Sequence, residues 1–261
     1  MKNTIRYSGF RLRLTAITAT VLLALGLSTM IAPPAQAAKY DIAIPDNLLT
    51  QSMFRDLSEE IGLAVAYRPI APAEPLGLLG FDIGVEVTAV NIDSSEAFWS
   101  SVNPDLPSYL AFPKLHAQKG LPFGIDVGFV YTKLPSSNVG MYGGEVKWAI
   151  LKGTVATPAL ALRGTYTTLT GVDTLDVSTY GADLSVSKGF GPLTPYAGIG
   201  EVWINSSSNA QAVGLVPLAN ESLSESHFFV GTKWSILLLS FALEADFAKV
   251  PAYSFRVGLG F

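Results

Sequence analysis

The last nine residues, Tyr253-Ser254-Phe255-Arg256-Val257-Gly258-Leu259-Gly260-Phe261, carry an aromatic or aliphatic side chain on every odd position and Ser, Arg or Gly on every even one. In a β-strand successive side chains point to opposite faces. One face of this segment is therefore wholly apolar, and the other carries one arginine and nothing else large. Such a strand needs an apolar medium on one side and a polar or small-residue interior on the other. The demand restricts the fold to a sheet with two unlike faces, and the same alternation recurs upstream.

Hydrophobic residues make up 49% of the chain and mean hydropathy is +0.37, values also found in helical membrane proteins. A spanning helix needs roughly 20 consecutive apolar residues. Beyond residue 37 the longest apolar run, Trp234 to Leu243, is shorter and broken by Ser235 and Ser240. Hydrophobicity delivered by alternation, with 24 glycines, predicts an all-β fold: an antiparallel transmembrane β-barrel that faces lipid on one side only.

Read backward from Phe261, the chain yields about ten strands. The tenth is Tyr253 to Phe261, with Arg256 inward. The ninth, Ser240 to Lys249, turns Phe241, Leu243, Ala245 and Phe247 out and Glu244 and Asp246 in. The eighth, His227 to Leu237, turns Phe228, Val230, Thr232, Trp234 and Ile236 out and Lys233 in. The seventh, Thr194 to Asn205, places Glu201 inside. The sixth, Asp176 to Lys188, holds Asp183 inside, and the fifth, Thr157 to Thr168, holds Arg163. The fourth, Met141 to Leu151, has Glu145 and Lys147 inward, and the third, Phe123 to Thr132, has Asp126. The second, Tyr109 to Gln118, places Lys114 and His116 inside, although Pro113 removes a ladder donor. The first, Phe81 to Val90, has Glu86 inward. Gly62 to Pro69 alternates as well, but an eleventh strand breaks the even count, so it is left outside the barrel.

Aromatic residues provide an independent check, because membrane barrels carry aromatic girdles at both rims of the apolar band. Phe123, Trp148, Tyr196, Trp234, Phe241 and Phe261 fall at the rim shared with Phe261. Tyr131, Tyr142, Tyr166, Tyr180, Phe228, Phe247 and Tyr253 fall at the other. Trp203 is the exception, on the inward parity of the seventh strand. The links at the Phe261 end are short, whereas the opposite end holds the two long connections, Asn91 to Ser108 and Ser206 to Ser226.

The N-terminus reads as a secretory signal over residues 1–37. Lys2, Arg6, Arg11 and Arg13 precede the apolar stretch Leu14 to Ile31, and Ala35-Gln36-Ala37 is an A-x-A cleavage site. Removing four bases and no acids from 17 Lys+Arg and 21 Asp+Glu leaves 13 against 21. An acidic mature chain argues against a nucleic-acid partner. With no cysteine, thiol chemistry and cysteine metal sites are excluded. Residues 38–79 form an N-terminal segment, periplasmic across the barrel mouth or plug-like within the lumen. In it Pro45-Asp46-Asn47, followed by Leu48, Leu49, Met53, Phe54, Leu57 and Ile61, predicts a short amphipathic helix with a capped start.

The closing strand resembles that of bacterial outer-membrane β-barrels, and the pattern from residue 80 to 261 resembles small OmpA/OmpX-type barrels. The resemblance implies an outer-membrane location in a Gram-negative cell. It implies that Phe261 is an assembly signal read by the barrel-assembly machinery, and that lipid and lipopolysaccharide surround the wall. It also implies that the short turns and both chain termini are periplasmic. It rests on strand pattern, girdles and terminal Phe, so no family-specific site residue carries over.

The inward charges, Glu86, Asp126, Glu145, Lys147, Arg163, Asp183, Glu201, Lys233, Glu244, Asp246 and Arg256, are the candidate lumen-lining residues. In a barrel this narrow they must pair or touch water, since an unpaired buried charge costs several kcal/mol. They read first as an internal ion-pair network, and otherwise as a narrow water-filled path that favours cations. Only His116 and His227 are available as general bases, and neither a G-x-S-x-G elbow nor an H-E-x-x-H helix is present. No catalytic residue, metal site or cofactor is therefore expected; Asp93, Glu96 and Asp105 in the first long loop read as solvated acids. The expected function is non-enzymatic, structural or surface-binding through the extracellular loops, where the apolar run Ala210 to Ala219 is a candidate contact. The alternatives are a porin-like narrow channel or conduit for small or apolar solutes, and a membrane-embedded hydrolase or acyltransferase.

Overall fold

The computed structural model describes residues 41, 42, 44, 49–134, 137–209 and 218–261. The signal segment 1–37, the Pro45-Asp46-Asn47 start and residues 210–217 of the apolar loop lie outside the described residues. Ten strands close into one antiparallel barrel in which each strand pairs with its sequence neighbours and the first with the last. They are β1 (Phe81–Asn91), β2 (Tyr109–Gly120), β3 (Ile125–Lys133), β4 (Gly140–Lys152), β5 (Ala159–Thr170), β6 (Leu175–Ser187), β7 (Leu193–Ser208), β8 (Glu221–Ile236), β9 (Leu239–Phe247) and β10 (Ala252–Gly260). Closure leaves no free sheet edge, which a lipid-exposed sheet requires.

The alternation that defined the strands also sorts their faces. In β2 the odd positions from Leu115 to Lys119 are exposed and the even ones buried. Ile83, Val146, Leu162, Val230, Leu243 and Phe255 stand on the outside with about half their surface bare, an apolar belt that water does not tolerate over a whole wall. Pro113 sits within β2, paired with Val87 of β1. On the other side the ladder with β3 begins only at Leu115, so the missing proline donor falls where β3 no longer pairs.

The barrel has a turn end and a loop end. At the turn end are the 3₁₀ turn Pro122–Gly124, the two residues Leu237 and Leu238 between β8 and β9, and Phe261. Phe261 exchanges backbone hydrogen bonds with Phe81, both 3.1 Å, and the two rings meet edge-on at 4.9 Å. At the loop end β7 and β8 each run 16 residues, so the connection predicted over Ser206 to Ser226 shrinks to 209–220. The connection after β1 contains a short helix, α2 (Ala97–Val102), with Trp99 fully buried.

The seventh strand departs from the predicted phase. Ile199 pairs with Leu184 and Phe228, and Trp203 with Tyr180, which puts Ile199, Glu201 and Trp203 outside and Tyr196, Val202 and Ile204 inside. Trp203 thus joins the girdle, whereas Tyr196 leaves it and is buried. The reason lies within the barrel. Helix α1 (Gln51–Val65) fills the lumen at the loop end, and its Gly62 lies so close to β7 that a Cβ there would sit 2.4 Å from Ile204 Cγ2. The interior at this level is apolar, and the rule of polar side chains inward reverses.

Helix α1 starts later than predicted. Its N-cap is Thr50, whose Oγ1 accepts from the Met53 amide at 3.3 Å. Phe54, Leu57 and Ile61 are buried among inward-facing Leu110, Phe112, Val130, Met141, Val177, Val202, Ile204 and Leu223. The helix ends at Val65, and Arg68 folds back to donate to the carbonyls of Leu63 at 2.8 Å, Ala66 at 3.3 Å and Ala64 at 3.4 Å. A cation on the last carbonyls satisfies acceptors the helix leaves open.

Candidate functional site: the occupied lumen

From Ala66 the chain runs through the lumen to the turn end, where Gly80 O accepts from the Gly120 amide at 3.0 Å just before β1 begins. Its sequence, Arg68-Pro69-Ile70-Ala71-Pro72-Ala73-Glu74-Pro75, has a proline at every third position. Proline favours extended backbone in itself and in the residue before it, and supplies no amide donor. The strap therefore presents mainly carbonyls, and a lumen that accommodates it must supply donors.

The barrel wall supplies them. Arg256 donates to the Pro69 carbonyl at 3.0 Å. Lys147 donates to the carbonyls of Pro72 at 3.0 Å and Glu74 at 2.9 Å, and Lys119 to that of Leu78 at 2.7 Å. Two strap amides find acceptors: Leu76 N–H on both oxygens of Asp126 at 3.1 Å, and Glu74 N–H on Ser187 Oγ at 3.3 Å. The charges also pair with one another across strands. Lys147 meets Asp126 at 2.9 Å, Lys114 meets Glu86 at 2.9 Å, and Arg256 meets Asp82 at 2.7 Å. Lys233 reaches the other oxygen of Asp82 at 2.8 Å, and Arg163 lies between Glu145 at 3.2 Å and Asp183 at 3.7 Å. Gln118 adds an amide donor to Glu145.

Among the residues singled out from the sequence, Glu86, Asp126, Glu145, Lys147, Arg163, Asp183, Glu244, Asp246 and Arg256 are buried in this interior, and Lys233 lines it beside Asp82. Glu201 is not among them. On the outward parity of β7 it accepts a hydrogen bond from Ser226 Oγ at 2.7 Å. Asp82 was missed, although it shares the parity of Glu86. Arg68 and Glu60 were missed because their partners are helix carbonyls and Trp99, whose Nε1–H donates to Glu60 at 2.6 Å, contacts that no local pattern announces. Lys249, on the loop before β10, pairs with Glu59 of α1 at 2.6 Å.

The two histidines occupy different surroundings. His116 Nδ1 lies 3.0 Å from Glu86, and Tyr67 meets the ring edge-on at 6.2 Å. His227 Nδ1 lies 2.9 Å from Asp246, and its ring stacks on Phe229. Ser224 and Ser226, the nearest hydroxyls in sequence to His227, fall on the outward parity. A general base with an orienting acid is therefore present, but these serines point away from it. Among the described residues no group of three or more His, Cys, Asp or Glu side chains is placed to hold a metal ion. Asp93 instead accepts from the Ser95 amide at 3.2 Å, a local turn contact.

The void beside Tyr67, Asp183, His227 and Glu244 measures about 10 Å³, room for one water. A hollow of about 410 Å³ lies near the loop end of β5 to β8, lined by Tyr166, Thr168, Ser178, Asn205 and Ser222. These five share the outward parity of their strands, whereas Val177 and Ser206, which also line it, are buried on the inward one.

No family model matches the chain, and no curated protein does. Among solved structures it is similar to the N-terminal β-barrel domain of Pseudomonas aeruginosa OprF, at 12% identity over 71% of this chain and 99% of that one, with a TM-score of 0.33. Neisserial surface protein A is similar at 7% identity over 69% and 94%, with a TM-score of 0.30. Ail, the attachment invasion locus protein of Yersinia pestis, is similar at 12% identity over 69% and 95%, with a TM-score of 0.26. In architecture the chain is a small closed antiparallel β-barrel of ten strands, with part of its own N-terminal segment inside.

Proposed function

We propose that this protein is an outer-membrane barrel that does not conduct solutes and acts through the surface at its loop end. The observation that carries the reading is the occupied lumen: α1 fills one half, and the proline-rich strap, fixed by Arg256, Lys147 and Asp126, fills the other. An outer-membrane location is supported by the apolar belt with aromatic rims, and by short turns at one end against long strands and loops at the other. In that setting the turn end with Phe261 faces the periplasm and the loop end faces outward. Surface binding is the role a sealed barrel favours, since its loop end meets the surroundings of the cell.

Planar-bilayer recording of the purified protein tests the seal. The expected result is no conductance step above the lipid background. Discrete steps, reproducible at fixed voltage, return the channel reading to first place.

A further inference from the structure

We propose that the barrel carries its N-terminal end through its own lumen and presents it outside the cell, so that the two ends of the chain lie on opposite faces of the membrane. The proposal rests on the orientation given above. Its geometric basis is independent of it. The described residues before α1 are tied to the loop end: Asn103, just after α2, donates to Asp41 O at 2.8 Å. Asn138, between β3 and β4, bonds Ile42 in both directions, accepting from its amide at 3.0 Å and donating to its carbonyl at 2.6 Å. Thr174, between β5 and β6, accepts from the Ile44 amide at 3.0 Å. Phe261 is at the other end, beside Phe81.

From Leu49 to the start of β1 the path is described throughout. Helix α1 meets Glu221 and Lys249, both at the loop end. The strap then passes Arg256, Lys147 and Asp126 on its way to Lys119, and β1 starts from the turn end. The proposal departs from the expected arrangement with both termini on one side: an even number of strands fixes only where β1 begins and β10 ends, and a segment that traverses the lumen adds one more crossing.

Two consequences follow. A helix with its side chains is roughly 10–12 Å across, and every residue of α1 from Leu57 to Val65 is buried, so on this proposal the strap and helix take their place before β1 and β10 join from Asp82↔Gly260 to Val90↔Ala252. And the described start of the chain, Asp41 and Ile42, lies among the loops beside Asn103 and Asn138, adding to the surface a partner meets.

Because the chain contains no cysteine, single-cysteine variants report position directly. We would compare Lys39→Cys, two residues before Asp41, with Asp105→Cys on an exposed loop-end site and Val155→Cys at the exposed turn end. Intact cells are treated with a polymer-linked maleimide too large to cross the membrane, and detergent-lysed cells serve as the measure of full reactivity. The expected result is labelling of Lys39→Cys and Asp105→Cys to the same extent before and after lysis, with Val155→Cys labelled only after it. If Lys39→Cys requires lysis while Asp105→Cys does not, the threaded N-terminus is wrong and the orientation stands. If Val155→Cys is labelled on intact cells and Asp105→Cys is not, the orientation itself is wrong.

Discussion

Replacing Lys147 by Met tests how the strap is held. The two side chains have similar length, so the substitution removes charge and donors with little change in packing. Lys147 is buried, pairs with Asp126 at 2.9 Å and donates to two strap carbonyls. Without it Asp126 keeps only the Leu76 amide, and a buried carboxylate loses its counter-charge. Breaking a buried pair from one side costs about 3–5 kcal/mol. The two carbonyls left without donors fall within that figure if water reaches them. We expect Lys147→Met to lower unfolding stability in urea by about 4 kcal/mol, and Lys147→Met with Asp126→Asn to recover about half, because the orphan charge is gone while the Leu76 acceptor remains. At 1.4 kcal/mol per tenfold, exchange of the Leu76 amide should quicken by at least two orders of magnitude. A loss under about 1 kcal/mol, with unchanged exchange at Leu76, would refute the idea that this pair anchors the strap.

Gly62→Val should dislodge α1, since the new Cβ falls 2.4 Å from Ile204 Cγ2; proteolysis between residues 50 and 80 should accelerate, and Ile204→Ala should partly rescue it. Glu86→Gln and Glu201→Gln should separate the interior from the wall: the first weakens a fully buried acid held by Lys114 and His116 and should cost about 3 kcal/mol or more, whereas the second, outward-facing, should stay within about 0.5 kcal/mol in the same urea titration.

Much of the barrel was legible because lipid enforces a rule that local sequence records. Each wall strand needs one apolar face, and a period of two is visible within a few residues. Ten segments were found this way, most to within two residues of their observed ends. The exceptions share a cause. Strand β8 begins at Glu221 rather than His227, and β7 has the opposite phase to that predicted, because at the loop end the interior is lined by Leu223, Val202 and Ile204. In Tyr196 to Ile204 both parities carry apolar residues, Tyr196, Val202 and Ile204 on one and Ala197, Ile199 and Trp203 on the other, so alternation alone gives no preference. The partner that decides the phase, α1, lies more than 130 residues away in sequence.

The interior followed the same division. That Arg163, Glu145 and Asp183 share one face is a statement of parity, and it can be read from three separate strands. That Arg256 and Lys147 serve strap carbonyls is not, since those acceptors belong to backbone that no side-chain pattern marks. Local alternation sufficed for the lipid-facing barrel, its strand count and most of its inward charges, because strand periodicity is local and the membrane is the same for every strand. What occupies the lumen, which way β7 faces and at which end Asp41 and Ile42 lie were beyond its reach. Those depend on contacts between distant parts of the chain, where the medium inside the barrel is the protein itself.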